Sequence, residues 1–117
     1  MQRRQTAAFI EANPLQVALI PRIPVKTGTG TTLTDQPPRP LQTFRLIDQS
    51  APTGTQPGTV VGADGRQRKV EFQLLGNYDA QMGRYDYWVD SDGVRLELAE
   101  LLPDNGYERR AQVIRYG

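Results

Sequence analysis

The chain has 117 residues, which is enough for one domain built around a single hydrophobic core. Hydrophobic residues make up 38% and charged residues 23%, with 11 Gly and 9 Pro, so turn-forming residues are more frequent than in an average domain. The 14 cations, twelve of them Arg, face 13 acids, giving a formal net charge of +1. Dedicated DNA-binding proteins usually carry a clear basic excess, so this balance argues against that class.

The chain contains no His and no Cys. Catalysis by a Ser/His/Asp or Cys/His arrangement is therefore excluded, as are thiolate and imidazole metal sites. Disulfides cannot form, so the core has to stabilise the fold without them. Because no remaining side chain ordinarily titrates near neutral pH, we expect a non-catalytic protein without a cofactor or a bound metal.

The N-terminal segment, residues 1–14, is predicted to be an arm or a short helix. Residues 5–12 favour a helix, and the sequence Asn13-Pro14 ends it because proline disfavours helical backbone in the preceding residue. So short a helix is marginal alone, so it either packs on something, another chain being one option, or frays. The opening Met-Gln-Arg-Arg is not followed by an apolar signal region, and residues 14–21 are too few to span a bilayer. We expect no export signal and no membrane partner.

Strand patterns begin at Leu15. Residues 15–20 alternate loosely between apolar and polar, and prolines flank Arg22-Ile23, which indicates a strand edge or a bulge there. Residues 26–40 contain five Thr, two Gly and three Pro and are predicted to form a loop or a β-hairpin tongue. A strand over residues 41–47 follows, and then a second long loop over residues 48–58.

The second half of the chain alternates more regularly. Residues 66–75 are the clearest amphipathic strand, and the last strand, residues 107–116, directs Ala111 and Val113 to one side and Ile114 and Tyr116 to the other. Tight turns are predicted at residues 62–65, 90–93 and 103–106. Strands and turns at this spacing predict an all-β fold: a small β-barrel of about six to seven short strands over residues 15–117.

Two groups of residues could carry site chemistry, and both have a simpler explanation. Four acids could act as paired carboxylates or as a hard-metal site, but most of them lie in turns, where Asp caps the local backbone. The acids are Asp64, Asp86, Asp90 and Asp92. The sequence KTGTGTT, with Gly28 and Gly30, lacks the residues and the following helix that a phosphate loop requires. No catalytic, cofactor-binding or metal-binding residue is predicted.

Arginine is unevenly distributed along the strands. Arg66 and Arg68 lie beside a turn, and Arg109 and Arg110 lie in the last strand. They fit either a protein interface or a solvated strand face with cross-strand pairs to Glu71, Glu97 and Glu108. Residues 84–88 mix aromatic and charged side chains as nucleic-acid stacking platforms do, but alternating tyrosines are more typical of a core.

Four stretches carry a resemblance to a known family: VALIPR at 17–22, PPRPLQTFRLI at 37–47, ADGRQRKVEFQLLG at 63–76 and NGYERRAQVIRYG at 105–117. Over roughly residues 10–117 the chain resembles head-to-tail connector proteins of tailed siphophages of actinobacteria, most closely the head-closure or stopper proteins. The resemblance implies a virion protein, present in the host cytoplasm before assembly. It also implies a six- or twelve-fold homo-oligomeric ring between a connector adaptor and a tail terminator or tail tube. Double-stranded genomic DNA would be held by the ring, and later pass through it without sequence recognition.

In related stoppers a long loop closes the channel, and both 26–40 and 48–58 qualify here. We favour the first, because Thr-rich strands pair readily between subunits and glycines allow rearrangement. The predicted gating residues are Lys26, Gly28, Gly30, Thr31, Thr32, Thr34 and Asp35. The predicted ring contacts are Arg3, Arg4, Arg66, Arg68, Tyr107, Glu108, Arg109 and Arg110.

Two other functions remain open. A tail terminator ring would occupy a neighbouring position in the virion, although terminators more often combine helices with a sheet. A small β-barrel that binds single-stranded nucleic acid would belong to a different class, and its affinity for an oligonucleotide would fall steeply with salt.

Overall fold

The computed structural model describes residues 2–48 and 59–116. Within these described residues, one helix, α1 (Gln2–Ala12), precedes ten strands. The strands are β1 (Leu15–Val17), β2 (Arg22–Thr27), β3 (Gly30–Asp35), β4 (Gln42–Asp48), β5 (Thr59–Val61), β6 (Gln67–Lys69), β7 (Phe72–Asn77), β8 (Tyr87–Val89), β9 (Arg95–Leu101) and β10 (Glu108–Tyr116).

Six of the strands form one antiparallel sheet in the order β1-β4-β7-β10-β9-β8. The sheet curls until its two ends nearly meet: Ile20, just after β1, exchanges two backbone hydrogen bonds with Tyr87 of β8, at 2.9 and 3.1 Å. Closure removes most of the unpaired strand edge that an open sheet would expose. The predicted small all-β barrel is confirmed.

The interior of the barrel is filled by apolar side chains from alternate strand positions. Phe44, Leu74, Leu98 and Val113 have no exposed surface, and the single tryptophan, Trp88, is also buried. The period of two that predicted the strands thus selects the side chains of the core.

A second, smaller apolar cluster lies on the outside of the barrel wall. The β5–β6 hairpin packs there on β9 and β10, and the cluster contains Val60, Val70, Ala99 and Ile114, with Tyr116 against it. The predicted placement of β10 side chains on two opposite faces is confirmed. Ala111 and Val113 belong to the inner core, whereas Ile114 belongs to the outer cluster and Tyr116 packs against it. Strand β10 is therefore covered on both faces.

The sequence predicted one strand over residues 66–75, and this was wrong. The chain forms β6 and β7 there, separated at Val70 and Glu71. Val70 is buried in the outer cluster, while the amide of Glu71 donates to the carbonyl of Val113 at 3.1 Å. The chain thus passes from the outer hairpin into the barrel wall at this point, which a regular alternation does not indicate.

Helix α1 packs on strands β4, β7 and β10 of its own barrel. Its Ile10 is buried, and Arg45 of β4 lies over the ring of Phe9 at 3.7 Å and donates to the Phe9 carbonyl at 2.9 Å. A helix too short to be stable alone is therefore supported by tertiary contacts. No helix in residues 2–48 and 59–116 is long and apolar enough to cross a membrane.

Candidate functional site

Strands β2 and β3 form a two-stranded hairpin of their own, which we call the tongue hairpin (residues 22–35). Six residue pairs run from Arg22 with Asp35 at the base to Thr27 with Gly30 at the tip. Gly30 has a φ of +146°, which side-chain-bearing residues rarely adopt, and the hydroxyl of Thr27 donates to its carbonyl at 3.0 Å. Of the two predictions for residues 26–40, loop or hairpin tongue, the structure has a hairpin, but it spans residues 22–35 and leaves residues 36–40 outside it.

The tongue hairpin has two unlike sides. Arg22 and Asp35, on one side, contact the barrel, whereas Ile23 and Val25, on the other side, are 47% and 41% exposed. Along its edge, β3 borders an open cleft. The cleft is lined by Arg22, Thr31, Thr32, Leu33, Ala63, Asp64, Arg95, Glu97 and Tyr116.

The base of the hairpin is joined to the barrel by a buried ion pair between Arg22 and Glu97 of β9. The side chain of Arg22 is 8% exposed and that of Glu97 is 1% exposed. Arg22 also donates from Nε to the carbonyl of Tyr85 at 2.8 Å. Tyr85 has a φ of 72°, a strained conformation for a residue other than Gly, and this bond helps to hold it.

The carboxylate of Glu97 is fully used. While Oε1 accepts from Arg22, Oε2 accepts from the amide of Ala63 at 3.1 Å and from the hydroxyl of Tyr116 at 3.0 Å. Ala63 lies in the β5–β6 turn, so one side chain fastens both outer hairpins to the barrel wall. A buried charge is tolerated when its hydrogen-bonding capacity is satisfied in this way.

A tyrosine strengthens the same junction. The hydroxyl of Tyr87 donates to the carboxylate of Asp35 at 2.5 Å, and the guanidinium groups of Arg22 and Arg95 lie 4.8 and 4.5 Å from its ring centre. The bond to Asp35, together with burial, raises the pKa of Tyr87 above its ordinary value. The side chain thus remains a neutral donor to Asp35.

A second buried carboxylate holds the chain after the tongue hairpin. Asp86, with a side chain 2% exposed, accepts from Nε of Arg39 at 2.7 Å and from the amide of Gly83 at 3.0 Å. The amide of Arg39 also donates to the carbonyl of Leu19 at 2.8 Å. The segment between Arg22 and Arg39 is consequently clamped at both ends by an arginine on a buried acid.

The predicted gating residues divide into two groups. Lys26, Gly28, Gly30, Thr31 and Thr32 lie in the outer half of the tongue hairpin, with the side chain of Lys26 exposed. Thr34 and Asp35 lie at its base; Asp35 is engaged with Tyr87 and belongs to the anchor, whereas Thr34 is exposed on the side of Ile23. Of the second candidate loop, 48–58, all but Asp48 lies outside the described residues.

Most of the predicted ring-contact residues have partners within the chain. Arg3 donates to the Gly106 carbonyl at 3.0 Å, Arg68 pairs with Asp64, and Arg110 pairs with Glu108 at 2.9 Å. Arg4 and Arg66 are exposed, and Tyr107 is half-buried. Arg109 lies 3.6 Å from Asp104 and keeps a buried Nε without a hydrogen-bond partner in the described part of the chain.

The sequence did not predict the two buried ion pairs. Arg22 was assigned only to a strand edge or bulge, and Glu97 was one of the acids available for cross-strand pairing on a solvated face. Alternation along β9 places Glu97 on the outside of the barrel, where an acid is ordinary. Apolar Ala99 on the same face was the one local signal that this face is covered.

Among residues 2–48 and 59–116, no group of three or more acids could hold a metal ion. Asp64 pairs with Arg68, whose hydrogen bond lowers the pKa of the Asp64 carboxyl. Asp90 accepts from the amides of Asp92 and Val94 within its own turn. In comparisons with known proteins, no family model, no curated protein and no solved structure gives a significant match to the chain.

We expect Arg22→Met to lower the free energy of unfolding by about 3–5 kcal/mol, because it leaves Glu97 buried without its cation. Urea unfolding followed by the fluorescence of Trp88 measures this. Adding Glu97→Gln removes the buried charge and keeps an oxygen acceptor for Ala63 and Tyr116, so it should recover much of the loss. The control is Arg95→Met. It removes an exposed arginine that, like Arg22, lies over the ring of Tyr87, and it should cost less than about 1 kcal/mol. Equal losses for Arg22→Met and Arg95→Met would contradict the buried pair.

Tyr116 should make stability depend on alkaline pH. Burial, and then the charge of Glu97, raises its pKa from 10.0 to about 12. The unfolded chain ionises this phenol near pH 10, whereas the folded chain keeps it protonated; its stabilising contribution is present below pH 10 and is lost as the pH rises towards 12. Tyr116→Phe should therefore lose less stability between about pH 9 and about pH 11. Equal losses in both proteins would rule out this coupling.

Proposed function

We propose that the chain is a structural subunit of the head-to-tail connector of a tailed phage, a stopper that forms a homo-oligomeric ring of six or twelve copies. In this role the ring joins a connector adaptor on the head side to the tail terminator or tail tube. It retains the packaged DNA in the filled head and later lets it pass. The protein makes and breaks no bonds. The observation that carries the proposal is the tongue hairpin, anchored in the barrel wall at its base and polar at its tip.

The charge of the tongue hairpin suits a surface that faces moving DNA. Between its base residues Arg22 and Asp35, its only charged residue is Lys26. Each lysine or arginine that neutralises a phosphate adds to non-specific affinity for DNA. A channel lined by many cations would slow the passage of the genome, whereas threonines and glycines obstruct it without binding phosphate.

The anchoring of the hairpin suits an element that resists a load. Arg22 on Glu97 and Arg39 on Asp86 fix the two ends of the segment to buried groups. Removing one partner of such a pair leaves an uncompensated buried charge, which is strongly unfavourable. The base therefore keeps its position while the outer half of the hairpin can rearrange.

The side of the hairpin that carries Ile23 and Val25 supports assembly. Together with Thr32 and Thr34 it presents an uncharged, exposed face rich in residues that favour strands. Neighbouring hairpins in a ring would cover this face and close the channel with strands from several subunits.

Shortening the tongue hairpin tests the proposal. Replacing residues 26–31 with Asn-Gly joins Val25 to Thr32, which already face each other, through a tight two-residue turn. In phage carrying this change we expect particles that package DNA but lose it before the tail attaches. DNA protected from nuclease in purified heads is the measurement.

The matched control keeps the hairpin length and exchanges Thr29→Ser and Thr31→Ser, which should retain DNA as the original protein does. If the shortened protein retains DNA equally well, the tongue hairpin is not the gate. If an antibody against the protein fails to label the head-to-tail junction, the connector function itself is wrong.

A further inference from the structure

A pocket lies at the end of the barrel where β9 finishes and β10 begins. Its lining combines apolar and charged side chains: Met82, Leu101, Leu102, Asp104, Arg109 and Arg110. Met82 belongs to the barrel core and is buried, so the pocket reaches the core at this end. Leu101 is 40% exposed at the same place. A pocket of this kind suits an aliphatic side chain accompanied by an oxygen acceptor.

Arg109 supplies the polar part of the pocket and lacks a full set of partners. Its terminal nitrogen lies 3.6 Å from Asp104, longer than a charge-assisted hydrogen bond, and Asp104 is 57% exposed. Its Nε is buried and has no acceptor in residues 2–48 and 59–116. Arg110, in contrast, is held by Glu108 and Gln73. The side chain of Arg109 is nevertheless 41% exposed and only loosely paired, so its terminal nitrogens can donate to an incoming oxygen.

The chain carries the complementary chemistry at the turn between β8 and β9, residues 90–93. Val89, just before the turn, is 53% exposed. The turn contains two carboxylates and no cation. Asp90 is used by the turn itself, whereas the side chain of Asp92 is exposed. An aliphatic group and an available carboxylate therefore lie close together.

The pocket and this turn cannot meet within one molecule. Val89 is paired with Arg95 at the start of β9, and Leu101 ends the same strand six residues later. Six residues of extended strand span about 20 Å. A contact between the two features has to join different copies, head to tail, and repetition of such a contact closes into a ring when its rotation allows.

We propose that the pocket at the end of β9 receives the β8–β9 turn of a second copy of this chain. Val89 of the incoming copy packs against Leu101 and Met82, and the Asp92 carboxylate accepts from the terminal guanidinium nitrogens of Arg109, whose side chain is 41% exposed. The pocket mouth carries two guanidinium groups and one carboxylate, and the turn carries two carboxylates, so the charges are complementary. The proposal rests on the ring assembly proposed above and names its subunit interface.

A charge exchange tests the interface. Sedimentation gives the self-association constant. Backbone NMR spectra recorded over a concentration series show which residues form the contact. Asp92→Arg and Arg109→Glu should each lower the constant at least about tenfold, and the double variant should regain most of it because the pair is re-formed with its signs reversed. Glu11→Arg is the matched control for Asp92→Arg, since it makes the same change of charge on α1, outside both surfaces.

The outcomes separate the interface from the ring. Concentration-dependent shifts at Val89 and Leu101, with recovery in the double variant, support the interface. The absence of such shifts, a double variant without recovery, or an equal effect of Glu11→Arg would overturn it. If a ring is imaged in virions while these shifts are absent, the interface is wrong and the connector function stands. Open chains that lengthen without closing would support the interface and contradict the ring.

Discussion

The arrangement of the outer hairpins depends on one buried carboxylate. Glu97 projects from the outside of the barrel wall, yet it is 1% exposed, because the tongue hairpin and the β5–β6 turn cover it. Its oxygens accept from Arg22, Ala63 and Tyr116, which belong to three different parts of the chain. Burying this charge would be costly without these partners, so the network favours one arrangement of both hairpins over all others.

The barrel and the network have different roles. Apolar side chains inside the barrel stabilise a compact body without His, Cys or disulfides. The ion pairs of Arg22 and Arg39 then determine where the intervening hairpin leaves that body. A polar projection with a fixed base on a rigid barrel is a suitable element for obstructing a channel, and this connects the fold to the proposed connector function.

Much of the barrel could be predicted from the sequence, because alternation with a period of two reports directly on which side chains are buried. The clearest case is β10, where Ala111 and Val113 lie on one face and Ile114 and Tyr116 lie on the other. Both faces are covered. The ion pairs could not be predicted in the same way. Arg22 and Glu97 are 75 positions apart, and each side chain alone is typical of a solvated strand. Only the folded path of the tongue hairpin shows that Glu97 is covered.

The central claim is that Glu97 holds the tongue hairpin in one orientation. Because the chain has no Cys, spin labels introduced by Thr29→Cys and Ser91→Cys report on the hairpin tip and the barrel alone. Distances between the two labels, measured by double electron–electron resonance, should form a single narrow distribution. In the same protein carrying Glu97→Gln, which removes the charge and keeps the shape, the distribution should broaden while the circular dichroism of the barrel is unchanged. An equally narrow distribution in the Glu97→Gln protein would contradict the account.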